Sequence, residues 1–156
     1  FPLGPDGERL PQTVLQFLPL SNILKVSDEE LGFLTGTADI EAALPQLFAG
    51  DVQLVLYTCG SSGAHAYTRT AHGFAPCRKV RAVDTTGAGD AFMGAIHFLL
   101  KGKTAEELRA LPEDALREIV RFGNAAGSLT TTKGGAIPAM PSMEEIRSCI
   151  ASAPLL

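Results

Sequence analysis

Reactive potential is concentrated between Val83 and Ala95, in the run VDTTGAGDAFMGA. Gly87, Ala88 and Gly89 stand directly ahead of an apolar segment that reads as a helix. The first amides of a helix have no partner within it, and the aligned peptide dipoles leave about half a positive charge at that end. Small residues let an anion approach such a backbone closely. The natural guest is a phosphate, or the charge that develops on a phosphoryl group in transfer. Asp90 falls in the first turn, where its carboxylate would stand beside the bound anion and accept a proton from an attacking hydroxyl. Phosphoryl transfer needs little beyond positioning, electrostatic stabilisation and such an acceptor. Spacing alone also admits a plainer account, in which the glycines make a tight turn and Asp90 stabilises its own helix end. The pattern is not the GxxxxGK[ST] phosphate loop, because no Lys-Ser or Lys-Thr follows the glycines.

Other polar clusters have simpler first readings. Ser27 and Glu30 have the spacing of a capping box, which needs no ligand. Cys59 to Gly63, CGSSG, reads as an ordinary hairpin loop. Thr130, Thr131 and Thr132 read as a polar helix end. His65, His72 and His97 are far apart in sequence, and His97, inside the apolar run, reads as a core residue. The cysteines, Cys59, Cys77 and Cys149, are odd in number and lack CxxC or His-pair spacing. A disulfide framework or zinc site is therefore not expected, and a reducing cytoplasm is the default compartment.

The elements that must hold these groups follow from periodicity. Residues 1–10 read as a loop or severed linker and VLQFLPL (14–20) as a short helical piece, so 1–20 are an incomplete start and 21–156 form the domain body. NILKV (22–26) reads as a strand, followed by a helix from Ser27 to a stop at Gly36. Ile40, Ala43, Leu44 and Leu47 share one face of a second helix, Asp39 to Phe48. VQLVLYT (52–58) is continuously apolar and β-branched, the mark of a strand buried on both faces. AHAYT (64–68) is its partner, with further extended pieces at Gly73–Pro76 and Lys79–Val83. The glycine-led helix runs to Lys101 and stops at Gly102. Leu116, Ile119, Val120, Gly123 and Gly127 form one helical stripe, and Ser142 with Glu145 caps a last helix. Helices alternating with apolar strands give an α/β fold class.

Composition narrows the field of partners. Of 156 residues, 46% are hydrophobic and 19% charged, too apolar a mixture for a disordered chain. The formal net charge is −4, and no Lys/Arg run exists to neutralise phosphates in series, which excludes a nucleic-acid-binding face. The most apolar stretch, Ala91 to Leu100, is about half the roughly 20 residues a membrane helix requires. Neither a membrane partner nor a secretory leader is expected.

With those residues in view, Asp84 to Phe92, DTTGAGDAF, resembles the signature of the ribokinase-like (PfkB) carbohydrate kinases. Further motifs occur in that family's order: KVSDEELGFLTG upstream, YTCGSSGAHAY between, and GNAAGSLTTTKGGAIPAMP downstream. The combination is most similar to bacterial fructokinases and extends from Asn22 onward. The resemblance implies the C-terminal half of a three-layer α/β/α domain, and ATP-dependent phosphorylation of a sugar hydroxyl, most simply fructose to fructose 6-phosphate. It implies ATP and Mg²⁺, with K⁺ as a structural cation. Asp90 matches the family's catalytic base and the substrate-contacting carboxylate. Gly87, Ala88 and Gly89 match its anion hole. Thr58, Gly60, Ser61 and Gly63 match the nucleotide-binding turn, and Asn124 a position beside the adenine. Asp84, Thr86, Thr130, Lys133, Gly135 and Ala139 match the monovalent-cation loop.

One position departs from the pattern. The family carries Asn-x-x-Glu, acting on hydrated magnesium and phosphates; here Ser27 replaces the Asn while Glu30 is retained. A capping Glu turns toward its own helix start, so the two roles compete for one side chain. Nothing here resembles the family's sugar-binding Gly-Gly-x-x-x-Asn stretch or its β-sheet lid. The expectation is therefore a nucleotide-binding half, inactive alone, with NILKV and VQLVLYT lacking sheet neighbours and a homodimer, where one forms, built through the other half. Other acceptors (ribose, a keto-deoxy sugar acid, a nucleoside) and a non-catalytic nucleotide-binding module are the alternatives.

Overall fold

In the computed structural model, which describes residues 9–152, four strands form one mixed sheet in the order β1-β2-β3-β4. The strands are β1 Ile23–Ser27, β2 Leu54–Thr58, β3 Ala64–Tyr67 and β4 His72–Ala75. β1 and β2 run parallel, with Ser27 level with Thr58. β2–β3 and β3–β4 are antiparallel. The helices are α1 Arg9–Phe17, α2 Asp28–Thr35, α3 Ile40–Leu47, α4 Ala88–Leu100, α5 Ala105–Arg109, α6 Glu113–Thr130 and α7 Met143–Ser152.

Both faces of β2 are covered, as its unbroken apolar run requires. Val55 packs with Val26, Leu31 and Leu47 on the α1–α3 side. Leu54 and Leu56 pack with Phe92, Ile96, Leu116 and Val120 on the α4–α6 side. All of these but Phe92 are fully buried, and each such side chain stabilises the fold by about 1.5–3 kcal/mol over exposure. The stripe on α6 is buried as read, and burial extends around the helix to Phe122, Ala125 and Ala126, which meet α7. The result is a sheet between helical layers, the α/β class expected.

Several local expectations are corrected. VQLVLYT does not lack neighbours: β2 is internal, and only β1 and β4 lie at the edges. Lys79–Val83 is not a strand; the sheet-like pairing nearby is a single bridge at Arg78. The amides of Val83 and Asp84 donate instead to the carbonyl of Thr131, at 2.7 and 3.1 Å, which ties this segment to the end of α6. Arg9 and Leu10, read as loop, belong to α1, whereas residues 1–8 lie outside the described residues. His97 is exposed rather than in the core, because Phe92, Ile96 and Leu100 take the buried face of α4 and His97 falls beside exposed Phe98. α5 was not foreseen, although Thr104 and Glu107 form a capping box at its start.

Candidate functional site

A cleft of about 490 Å³ opens where the ends of β1 and β2 meet the start of α4 and one side of α6. Ser27 and Thr58 line it from the strand ends, Gly60 and Ser61 from the hairpin turn, Ala88 and Gly89 from α4, and Asn124 from α6. Carboxyl ends of parallel strands are where open α/β sheets habitually leave room for ligands.

The turn ahead of α4 is built by Gly87, which caps the helix at φ 80°. That left-handed conformation favours glycine. A Cβ on Gly87 would also lie 2.6 Å from the Cβ of Ala136. Gly89 is different: a Cβ there would meet nothing closer than Lys25 Nζ, at 4.0 Å. The space over the first amides of α4 is thus open, with an ammonium group at its border.

Lys25 is a residue that sequence reading missed. It sits in β1, lines the cleft, and its Nζ lies 3.1 Å from Glu30 Oε2. Its signal was a lone charge in an otherwise apolar strand. Glu30 Oε2 also accepts from the Ser27 amide at 2.8 Å, while the Glu30 amide donates to Ser27 Oγ at 3.2 Å. The capping box is therefore formed. Partial burial opposes ionisation of Glu30, but the Ser27 amide and Lys25 outweigh it and hold its carboxyl below the usual carboxylate value. Glu30 itself does not line the cleft, whereas its neighbours Asp28 and Glu29 do.

The hairpin turn is held from beneath. Cys59 N donates to Gly63 O at 2.9 Å, and Cys77 Sγ donates to Gly60 O at 3.3 Å. Gly63 is buried against Ala75 and Pro76 and supports the turn rather than lining the cleft. Asn124 is 5% exposed, and its amide donates to the carbonyl of Ala75 at 2.7 Å. It both borders the cleft and pins the end of β4 to α6.

The residues matched to a cation loop separate into two groups. Asp84 joins both loop segments: Oδ1 accepts from Thr86 N at 2.9 Å and Oδ2 from Gly135 N at 3.0 Å. The Thr86 hydroxyl and amide, then the Gly135 amide, hold Asp84 below its usual value. Thr130, by contrast, is fully buried and spends its hydroxyl on Ala126 O at 3.0 Å. Lys133 reaches Glu145 at 3.4 Å, and Ala139 is buried in a 3₁₀ turn over Ile137–Ala139. Asp90 is exposed in the first turn of α4, next to Gly89 and outside the cleft lining.

An amide-rich helix start beside a lysine, facing a cleft at parallel strand ends, with a carboxylate one residue further on, is an arrangement suited to receiving an anion such as a phosphate. The family model described as pfkB family carbohydrate kinase matches residues 2–143, and the chain belongs to that family. It is 43% identical over 152 residues to a protein named probable fructokinase-4 from Arabidopsis thaliana, covering 96% of this chain and 45% of that one. Among solved structures, it is similar to a fructokinase with bound ATP from Xylella fastidiosa, with TM-score 0.85, 35% identity and coverage of 94% of this chain and 48% of that one. It is also similar to a double-mutant fructokinase from Vibrio cholerae O395 in fructose, ADP and potassium ion bound form, with TM-score 0.79, 31% identity and coverage of 92% and 45%. The chain spans less than half the length of that probable fructokinase-4, of a probable fructokinase-2 from Arabidopsis thaliana and of a fructokinase-1 from Zea mays. No helix among the described residues is long and apolar enough to cross a membrane.

Proposed function

We propose that this chain supplies the nucleotide-binding half of a cytoplasmic kinase that moves the γ-phosphoryl group of ATP onto a fructose hydroxyl. The observation that carries the reading is the open space over the α4 amides, bordered by Lys25 and continuous with the Thr58–Ser61 end of the cleft. The identity with fructokinases supports fructose as the acceptor.

In this reading the nucleotide lies along the cleft, its base end toward Asn124 and its phosphates toward Gly89. The amides of Gly87, Ala88 and Gly89 hold charge on the phosphoryl group as it moves, and Lys25 adds a full positive charge beside them. Such fixed donors lower a barrier because they need no reorganisation during the reaction. Asp90, exposed at the rim, accepts the proton of the incoming sugar hydroxyl from the side that the rest of the protein closes. Mg²⁺ would neutralise phosphate oxygens; Glu30, whose two bonds both fall on Oε2, would hold its hydration shell, with Asp28 and Glu29 at the rim beside it. Ser27 contributes a hydroxyl at the position where the family has Asn. A K⁺ would rest against the Asp84–Gly135 link and stiffen the loop under the amide turn; the oxygen-rich character of that loop suits a hard monovalent ion. Residues 21–156 act as one unit in this assembly, and any homodimer forms through the other half.

The test is ADP release by the intact protein with fructose, with ribose, a keto-deoxy sugar acid or a nucleoside, and with no acceptor. Release that depends on fructose is expected. ATP binding without acceptor-dependent release would replace this reading with that of a nucleotide-binding module.

A further inference from the structure

The β3–β4 hairpin carries a second polar cluster, on the sheet face away from α4 and α6. His65 pairs with Phe74 and Tyr67 with His72 in the antiparallel register, so the two histidines are diagonal neighbours on one face. His65 Nδ1 lies 2.9 Å from His72 Nε2. Both rings are held in place: Tyr67 stacks on His72 at 4.4 Å, and Phe74 lies against His65 at 4.6 Å. Glu41 of α3 acts electrostatically on both Tyr67 and His65.

We propose that His65 and His72 form a two-point site for a divalent transition-metal ion of the zinc, copper or nickel class, with water completing its shell. Metal–imidazole bonds of about 2.0–2.1 Å place two nitrogens roughly 2.9 Å apart at the right angle of a tetragonal nickel or copper ion, and roughly 3.3 Å apart on tetrahedral zinc. The observed separation must therefore widen by at most about 0.4 Å to admit the ion. Imidazole suits these metals, and the neutral ring is the ligand form. Among the described residues no third His, Cys, Asp or Glu joins the pair as a direct ligand, which is why water fills the remaining positions. The ion would clip β4, an edge strand, to β3.

Calorimetric titration of the full chain with Ni²⁺ tests this, since nickel favours imidazole over the soft thiolate sites that Cys59 and Cys77 would offer zinc. One ion per chain is expected, with affinity falling about tenfold or more in either His65→Gln or His72→Gln. Bound Ni²⁺ should raise the unfolding midpoint of the parent chain and leave that of a folded His72→Gln variant unmoved. Nickel affinity unchanged in both variants would overturn the proposal, as would a rise in midpoint that survives His72→Gln.

Discussion

Gly87 and Gly89 are two residues apart in the same turn, yet the structure assigns them opposite sensitivities. Gly87 has φ 80°, and an added methyl would sit 2.6 Å from Ala136 Cβ. An L-residue in that conformation costs about 1–2 kcal/mol, and forcing a methyl into a filled space about 1–3 more. Gly87→Ala should therefore lose about 2–5 kcal/mol of folding stability. Gly89 lies inside α4, and its added methyl meets nothing nearer than Lys25 Nζ at 4.0 Å. Glycine to alanine within a helix gains up to about 1 kcal/mol. The same methyl occupies the space through which a phosphate oxygen would reach the helix amides. Losing one charge-assisted hydrogen bond is worth about 1.5–3 kcal/mol, or about a ten- to hundredfold loss of ATP affinity. Denaturant unfolding and calorimetric ATP titration of the intact protein read the two effects separately. A Gly89→Ala protein that is folded and binds ATP as tightly as the parent would refute the assignment of this turn to phosphate.

Three further outcomes follow from the site. Asp90→Asn in the intact protein should abolish most turnover while leaving ATP affinity nearly unchanged; single-turnover phosphate transfer checks it, and retained kcat would remove Asp90 as the proton acceptor. Lys25→Met keeps the stem in β1 but deletes the ammonium beside Gly89, and should weaken ATP binding about tenfold or more, with a smaller effect on AMP because the distal phosphates are missing. Glu30, Asp84, Glu107 and Glu145 are all held below their usual values of 4.5, 3.8, 4.5 and 4.5. A carboxylate whose folded pKa is depressed adds stability that is complete above its unfolded value and is lost as pH falls through the folded one. The carboxylates should therefore steepen the fall of the unfolding midpoint below about pH 4.5, with a shallower decline there in Ser27→Ala and Ser142→Ala.

The elements that order themselves by local rules were legible in the sequence. The Ser27–Glu30 and Ser142–Glu145 boxes, the αL stop at Gly36 and the α4 start at Gly87–Gly89 all formed where spacing put them. Continuous apolarity correctly marked β2 as covered on both faces. What failed was information carried by distant partners. Lys79–Val83 has strand-like composition, but the amide of Val83, with that of Asp84 after it, donates to Thr131 at the end of α6. His97 sits in an apolar run whose outer side is exposed among the described residues, beside Phe98 and Leu99. Lys25 drew no reading of its own within NILKV, and only the fold sets its ammonium 4.0 Å from where a Cβ on Gly89 would lie. His65 and His72, separate in sequence, meet because a short turn between β3 and β4 makes them diagonal neighbours.

The conflict over Glu30 resolves through charge. A carboxylate in a capping box is commonly taken as spent on its helix, and here the Ser27 amide does hold Oε2 at 2.8 Å. The same oxygen receives Lys25 at 3.1 Å, so the box also fixes the lysine that borders the α4 amides. The pair is half exposed and adds little stability of its own, about 0–1 kcal/mol for such surface contacts. Its value is positional: the box sets the carboxylate, the carboxylate sets the ammonium, and the ammonium stands over the open space at Gly89. Glu30→Gln keeps a capping acceptor for the Ser27 amide but removes the charge that steers Lys25. That variant should fold nearly as well as the parent and bind ATP less tightly at low magnesium as well as at high. A defect confined to high magnesium would mean that Glu30 acts on the metal alone; a defect at both means that it also acts through Lys25.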